Sequence, residues 1–359
     1  MKKILVLSKY GALAASTRQR FVQYTPFFND EGLELDIRPL LSDEYLNDSF
    51  NNSKVNRLKI LLSYFKRLFI VIFKRDFDLI IVQYELFPYL PSIFERLVFL
   101  SKKKVVYECD DAAFQQYFAH KESLFRKIVR FFLGKKIEPL VAGSNLAICG
   151  NDYLESWAKT FCKKTEIVPT VVDADLYTPN NNKSEGVTIG WIGSPSTYQY
   201  VSPIKEMLEH LIINNNIKVS IIGSGKRNSS SSLFNFIEWN EVDEVKFIQN
   251  MDIGIMPLPD DLWSKGKCGY KLIQYMSCGL PVIASPVGVN KKIIDDGVNG
   301  FLVDSIQEWQ EKIIELVNNP ELRDDMGKRG RLRVLDWYCT EKQGPRLVKM
   351  ISKILEERI

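Results

Sequence analysis

The chain has 359 residues, of which 45% are hydrophobic and 26% charged, with a net charge of +4. That length exceeds what a single core supports, so two domains are expected, and the composition excludes a disordered or fibrous chain. The mild charge and the lack of any nucleic-acid motif argue against a nucleic-acid-binding protein.

The opening MKKILVLSKYGALAAS holds only four successive apolar residues before Ser8 and Lys9, too few for a signal-peptide core, and reads as a first buried strand. Further strands are expected at 33–39, 79–83, 104–107 and 146–149, with a small-residue loop and a helix running through Phe28 after the first. This alternation predicts a parallel, doubly wound α/β sheet. Ligands bind beyond the carboxyl ends of such strands, a rim that takes in Gly11 to Arg20, Glu85, Asp110, Asp111, Gly150, Asn151 and Asp152. Asp110 and Asp111 are also well placed to cap a helix.

From Ser49 to Arg75 there is no acid but seven cations: Lys54, Arg57, Lys59, Lys66, Arg67, Lys74 and Arg75. Leucines and phenylalanines are interleaved with them, and the stretch 125–136 has the same character, so both read as helices lying on an anionic membrane surface. No run of about 20 apolar residues is present to span a membrane. The six cysteines (109, 149, 162, 268, 278 and 339) form no Cys-x-x-Cys pair and read as reduced thiols of a cytosolic protein.

The alternation restarts with strands expected at 187–192, 218–222, 234–239, 253–257 and 281–284. The first ends in Gly193-Ser194 and the second in Gly223-Ser-Gly. The stretch SKGKCGYKLIQYMSCGLPVIASPVG reads as loop, helix, turn and strand, with Tyr270, Ile273 and Met276 at helical spacing. A glycine-spaced loop that opens a helix offers N–H groups and a positive dipole end to an anion. Lys265, Lys267 and Lys271 surround that end, which suits a phosphate or diphosphate, although an ordinary turn with solvated lysines has the same pattern.

KCGYKLIQYMSCGLPVIASPVG, together with ASTRQRFVQYTPFF and YECDDA, resembles a bacterial branch of the family 4 glycosyltransferases. The resemblance implies the GT-B fold, two doubly wound Rossmann-like domains facing each other across a cleft. Residues 1–175 would bind acceptor and 176–344 the nucleotide sugar, with 345–359 a helix crossing back to the first domain. The family segment usually carries two glutamates separated by seven residues. Aligned on Cys278-Gly279 these fall on Gly266 and Gln274, so this chain resembles a branch lacking both. Gln274 is then expected to hold the ribose hydroxyls, with a glutamate there keeping or improving donor binding. The family's basic residues after the first glycine are missing from GWIGSPST, which leaves Lys267 and Lys271 to neutralise the diphosphate.

By the same resemblance, Asp110, Lys267 and Lys271 are the catalytic candidates. Gly193, Ser194, Gly223, Lys265, Cys268, Gly269 and Gln274 form the donor side, and Gly11, Ser16, Arg18, Arg20, Glu85 and Asp111 the acceptor side. Transfer would retain anomeric configuration without a metal or other cofactor, the nucleoside diphosphate sugar being a substrate. Asp173-Ala-Asp175 matches a metal-binding Asp-x-Asp literally but falls in the stretch resembling the interdomain linker, so it is expected to be structural. The partners implied are a nucleotide sugar, a glycan or lipid-linked glycan acceptor and an anionic membrane surface, at the cytoplasmic face of the plasma membrane. The expected role is bacterial surface polysaccharide synthesis. Of the two histidines, His210 reads as structural and His120 as a weak acceptor-side candidate. A non-catalytic binding protein on the same fold is the alternative. A nicotinamide dehydrogenase is disfavoured, since no Gly-x-Gly-x-x-Gly follows the first strand.

Overall fold

The structure, a computed structural model, describes residues 1–50, 56–117, 133–180, 186–225 and 231–357. It forms two compact units: Met1–Thr170 with Gly266–Cys268 and Gln343–Ile359, and Val171–Lys265 with Gly269–Lys342.

The first unit is built on a six-stranded parallel sheet in the order β2-β1-β3-β4-β5-β6. Its strands are β1 (Lys2–Leu7), β2 (Leu33–Ile37), β3 (Leu79–Gln83), β4 (Lys104–Cys109), β5 (Leu146–Cys149) and β6 (Thr165–Ile167). Strands β3, β4 and β5 are buried along their whole length, as strands covered on both faces must be. Among the strands described in this unit, β6 escapes sequence reading, because three partly exposed residues at a sheet edge carry no apolar run. The helix expected through Phe28 is broken. It forms α1 (Ala15–Arg20), a single turn, and α2 (Thr25–Asp30), which has Pro26 in its first turn.

The second unit repeats the plan in the order β12-β11-β10-β7-β8-β9. Its strands are β7 (Val187–Ile192), β8 (Ile217–Ile222), β9 (Asn235–Ile237), β10 (Ile253–Met256), β11 (Val282–Ala284) and β12 (Gly300–Leu302). All pairs are parallel, so the carboxyl ends of the strands share one rim. The last helix runs from Thr340 to Glu356, several residues earlier than Pro345, which it contains. Arg346 donates to the Ile167 carbonyl at 2.7 Å and Lys104 to that of Ile354 at 2.6 Å, fixing its C-terminal part to the first unit.

Two cations assigned by sequence to a membrane surface lie inside the first unit. Arg67 is buried in the helix Arg57–Phe73 and donates through Nη2 to the carbonyls of Ser8 at 2.7 Å and Arg38 at 2.8 Å. Lys136 is buried between Glu85 Oε2 at 2.6 Å and Glu95 Oε1 at 2.9 Å, and also donates to the Phe87 carbonyl at 2.7 Å. Glu95 in turn accepts from the backbone N–H groups of Leu86 and Phe87, so the chain after β3 is moulded around this ion cluster. The rest of the second basic stretch, through Phe132, falls outside the described residues, as does His120.

Removing Lys136 leaves two carboxylates buried together. Lys136→Ala is expected to destabilise the first unit by about 3–5 kcal/mol, whereas alanine at the exposed Lys66 leaves stability unchanged. Urea unfolding of both variants checks this.

Candidate functional site

Two glycines of the second unit, Gly193 and Gly223, stand at the carboxyl rim. Gly193 ends β7, and a Cβ there would lie 2.5 Å from the Trp191 ring and 2.8 Å from the Thr197 hydroxyl. Gly223 ends β8 at φ +77°, with its Cβ position 2.2 Å from the Gly193 carbonyl oxygen. No side chain fits between these two turns, so backbone and hydroxyl groups line the rim. The Ser194 N–H donates to Thr197 Oγ1 at 3.0 Å, and the Thr197 N–H to the Ser194 carbonyl at 3.0 Å.

The helix Tyr270–Ser277 starts beside them. Its N-cap is Gly269 at φ +69°, and no side chain caps it. A Cβ on Gly269 would meet Ile293 Cδ1 at 2.2 Å. The Ile192 N–H donates to the Tyr275 hydroxyl at 2.9 Å, tying this helix to the end of β7. Lys271 Nζ lies 5.6 Å from the centroid of the Trp191 ring, the ring that also walls Gly193. Lys271 and the turn at Gly193 therefore meet at the Trp191 ring, with the Gly223 turn against Gly193 and the helix start at Gly269 two residues before the lysine. Lys265 is engaged with Asp260 at 3.0 Å.

Gln274, expected at a ribose, is buried and turned into a polar network. Its amide nitrogen donates to Glu244 Oε1 at 2.8 Å and to the Tyr177 hydroxyl at 3.1 Å. Glu244, in the helix Glu244–Gln249, also accepts from the Tyr177 hydroxyl and from Trp239 Nε1. Tyr177 and Tyr270 bring their hydroxyls within 3.3 Å. Burial and the Glu244 charge push the Tyr177 phenol well above its ordinary range, so it remains a donor. The amide at 274 is thus matched to a carboxylate at 244. A glutamate at 274 would face that carboxylate, which reverses the expectation that it would be neutral or helpful to donor binding.

The first unit holds a second group. Asp110 and Asp111 follow β4, and Lys267 Nζ lies 3.5 Å from Asp111 Oδ2. Asn151 Nδ2 donates to the carbonyls of Gly266 and Lys267, each at 3.0 Å, and Cys268 Sγ donates to the Asp110 carbonyl at 3.1 Å. A Cβ at Gly266 would sit 2.4 Å from Ala112 Cβ and 2.8 Å from the Ala112 nitrogen. The absence of a side chain at 266 is therefore a packing requirement.

Under this rim, Arg20 is buried against Glu108, with Nε to Oε1 at 2.6 Å, and donates to the Val168 carbonyl at 2.8 Å. Glu108 Oε2 is buried with no hydrogen-bond partner among the described residues. Burial, opposed by Arg20 and assisted by Asp110, pushes the Glu108 carboxyl up to about 7. Burial also raises Asp110, which accepts a hydrogen bond from the Tyr84 hydroxyl. Tyr84 has φ +59°, a strained value for tyrosine, and is held there by its N–H bond to the Glu108 carbonyl at 2.9 Å.

The remaining acceptor-side candidates lie elsewhere in the first unit. Arg18 donates to the carbonyls of Ala12 at 3.3 Å and Leu13 at 2.7 Å, and Ser16 is half-buried on α1. Gly11 abuts Asp43, whose Oδ1 accepts from the Leu13 N–H at 2.8 Å. Glu85 belongs to the Lys136 cluster, with Lys9 at 3.6 Å from Oε1. In the second unit, Asp173 and Asp175 form an exposed acidic group with Glu341, and Asp173 Oδ1 accepts from the backbone of Asp175 and Leu176 as a turn cap. His210 is exposed on its helix. Sequence reasoning missed Glu244, Trp239, Tyr177, Tyr84 and Glu108. The acid-rich EWNEVDE signals a helix start but not which acid turns inward.

Two parallel six-stranded sheets with flanking helices define the class of fold, GT-B with two Rossmann-like domains. Solved structures share it across the chain. Sucrose-phosphate synthase from Thermosynechococcus elongatus is 13% identical with a TM-score of 0.70, covering 99% of both chains. Anabaena HepE in complex with UDP-glucose is 13% identical with a TM-score of 0.69, covering 98% of this chain and 100% of the other. Residues 186–319 match the family model described as Glycosyl transferases group 1, which supports a transferase. An uncharacterized glycosyltransferase of Methanocaldococcus jannaschii is 24% identical over 82% of this chain and 79% of its own. A second from that organism is 42% identical, but over only 18% of each chain.

Two outcomes follow from these networks. Gln274→Glu is expected to lower the melting temperature and weaken nucleotide binding at pH 8, with partial recovery near pH 5 as one carboxyl takes up a proton; calorimetry at the two pH values reads both effects. Glu108 has a folded pKa above the usual glutamate value, so its contribution to stability is fully present below about pH 4.3 and is lost as pH rises through about 7. The melting temperature of the wild type minus that of Glu108→Gln should therefore fall between pH 5 and 8, by about 2–4 °C for each kcal/mol lost in a domain of this size.

Proposed function

We propose that the protein is a retaining glycosyltransferase that moves a sugar from a nucleoside diphosphate sugar to a glycan acceptor. We take the acceptor to be lipid-linked, at the cytoplasmic face of the plasma membrane, in bacterial surface polysaccharide synthesis. The observation that carries the reading is the meeting of Lys271 and the Gly193 turn at the Trp191 ring, with the Gly223 turn packed against Gly193 and the uncapped helix start at Gly269 two residues before the lysine. Fixed donors and a cation suit a diphosphate whose negative charge grows as the sugar leaves. The structurally similar HepE was solved in complex with UDP-glucose, a ligand of the proposed class.

In this reading the N–H groups of the 193–197 turn and of the helix start bind the phosphates, and Lys271 supplies the counter-charge. Gln274 shapes the donor side from beneath through Glu244. By the resemblance, Lys267 and Asp110 of the first unit are the further catalytic candidates, with Asp110 accepting a hydrogen bond from Tyr84. No metal takes part in this reading, as the resemblance implies. The carboxyl rim of the first unit, with Ser16, Arg18 and Asp111, takes the acceptor.

A non-catalytic sugar-nucleotide or glycan-binding protein is the second reading. It is favoured by Gly266 and Gln274 standing where the resemblance places glutamates. Release of free nucleoside diphosphate on adding acceptor separates the two.

Lys271→Ala is expected to lower kcat/KM by about 10²–10³-fold, the scale for removing one stabiliser of developing charge, while the melting temperature holds. Steady-state kinetics decides it, and an unchanged kcat/KM in a folded variant removes Lys271 from the chemistry.

A further inference from the structure

The helix Arg57–Phe73 of the first unit is apolar on the side that faces solvent. Its start is capped by Asn56, whose Oδ1 accepts from the N–H groups of Leu58 and Lys59. Inward it presents the buried Arg67 and Val71, flanked by the half-buried Tyr64 and Leu68. Outward it presents Leu58, Leu61, Leu62, Phe65, Phe69 and Phe73, each 53–64% exposed. At 100° per residue these six fall within about 120° of the helix circumference and run for about 23 Å along the axis. The rings of Phe69 and Phe73 lie 4.8 Å apart and continue the stripe to the end of the helix.

A helix seated on a globular domain ordinarily turns its polar side to water. Here the solvent side carries an apolar stripe, and a continuous exposed patch of this kind marks a docking surface. Charge selects the partner. No acid occurs from Arg57 to Arg75, and Arg57, Lys59 and Lys66 are exposed beside the stripe, with Lys59 paired to Glu44. Two copies of this face would bring like charges together. An anionic lipid surface instead complements the cations while its acyl boundary receives the leucines and phenylalanines.

The way the helix is held sets its mode of binding. Arg67 ties it to the Ser8 and Arg38 carbonyls beyond β1 and β2. No helix among the described residues is long and apolar enough to cross a membrane. A helix fixed on the sheet along its inner side can meet a bilayer only lengthwise, in the plane of the interface.

We propose that the Leu58–Phe73 face of this helix seats the protein in an anionic lipid interface, with Phe65, Phe69 and Phe73 at the acyl boundary. This rests on the membrane-side reading above and specifies the surface that makes the contact. It also removes Arg67 and Lys136 from the contact, since both are internal.

The test is co-sedimentation with vesicles of phosphatidylglycerol mixed with phosphatidylcholine, and with phosphatidylcholine alone, at low and high salt. Wild type should bind the anionic vesicles at low salt. Phe65→Ser and Phe69→Ser should each weaken binding by about tenfold, the scale of burying one such side chain, with unchanged circular dichroism and melting temperature. Arg57→Ser with Lys66→Ser should flatten the salt dependence, while Arg67→Ser should unfold the first unit. Three results each overturn the proposal: wild type indifferent to anionic vesicles at low salt, phenylalanine variants that bind as well as wild type, or a wild-type dimer in light scattering that these variants dissociate, which gives the face to a second copy. Nucleoside diphosphate release with a short soluble acceptor is measured in parallel. Vesicle binding without release sinks the transferase reading alone, and release without vesicle binding sinks this one alone.

Discussion

A single buried carboxylate organises the donor-side unit. Glu244 accepts from Gln274, Tyr177 and Trp239, which come from a helix beside the sheet, the segment entering the unit and the end of β9. A buried charge is tolerable only when its oxygens are satisfied, so the three donors and the acid form one interlocked choice. The amide at 274 supplies one of these donors, which a carboxylate there could not. The helix start at Gly269, which carries the proposed phosphate contacts, is positioned by the same helix that Gln274 anchors.

Packing also accounts for the glycine at 266. Gly266 lies against Ala112, and Asn151 holds the carbonyls of Gly266 and Lys267. A side chain at 266 is excluded by Ala112 of the first unit. The groups gathered near this loop are Asp110, Asp111 and Lys267, with Arg20 and Glu108 beneath them as a buried pair. Burial raises the carboxyl pKa of Glu108 and of Asp110.

The strands were legible because short apolar runs bounded by turn residues leave little choice but a buried parallel strand. All five strands expected in each unit are present, whereas β6 and β12, three residues each, carry too little pattern to read. The glycine turns were legible for the same local reason. The Gln274 environment was not, since its partners at 177 and 244 are distant in the chain and nothing local marks which glutamate turns inward. Arg67 and Lys136 show the opposite failure. A cation in a basic stretch reads as solvated, yet Glu85 and Glu95 wait for Lys136, and two carbonyls for Arg67.

The central claim is that a nucleoside diphosphate binds at the carboxyl rim of the second unit through backbone N–H groups and Lys271. Amide hydrogen exchange with and without a panel of nucleoside diphosphates tests it most directly. The account predicts that at least one member slows exchange at 193–197, 223–225 and 269–273, and that Lys271→Ala weakens this protection. Protection confined to the first unit, or none with any nucleotide at millimolar concentration, would contradict it.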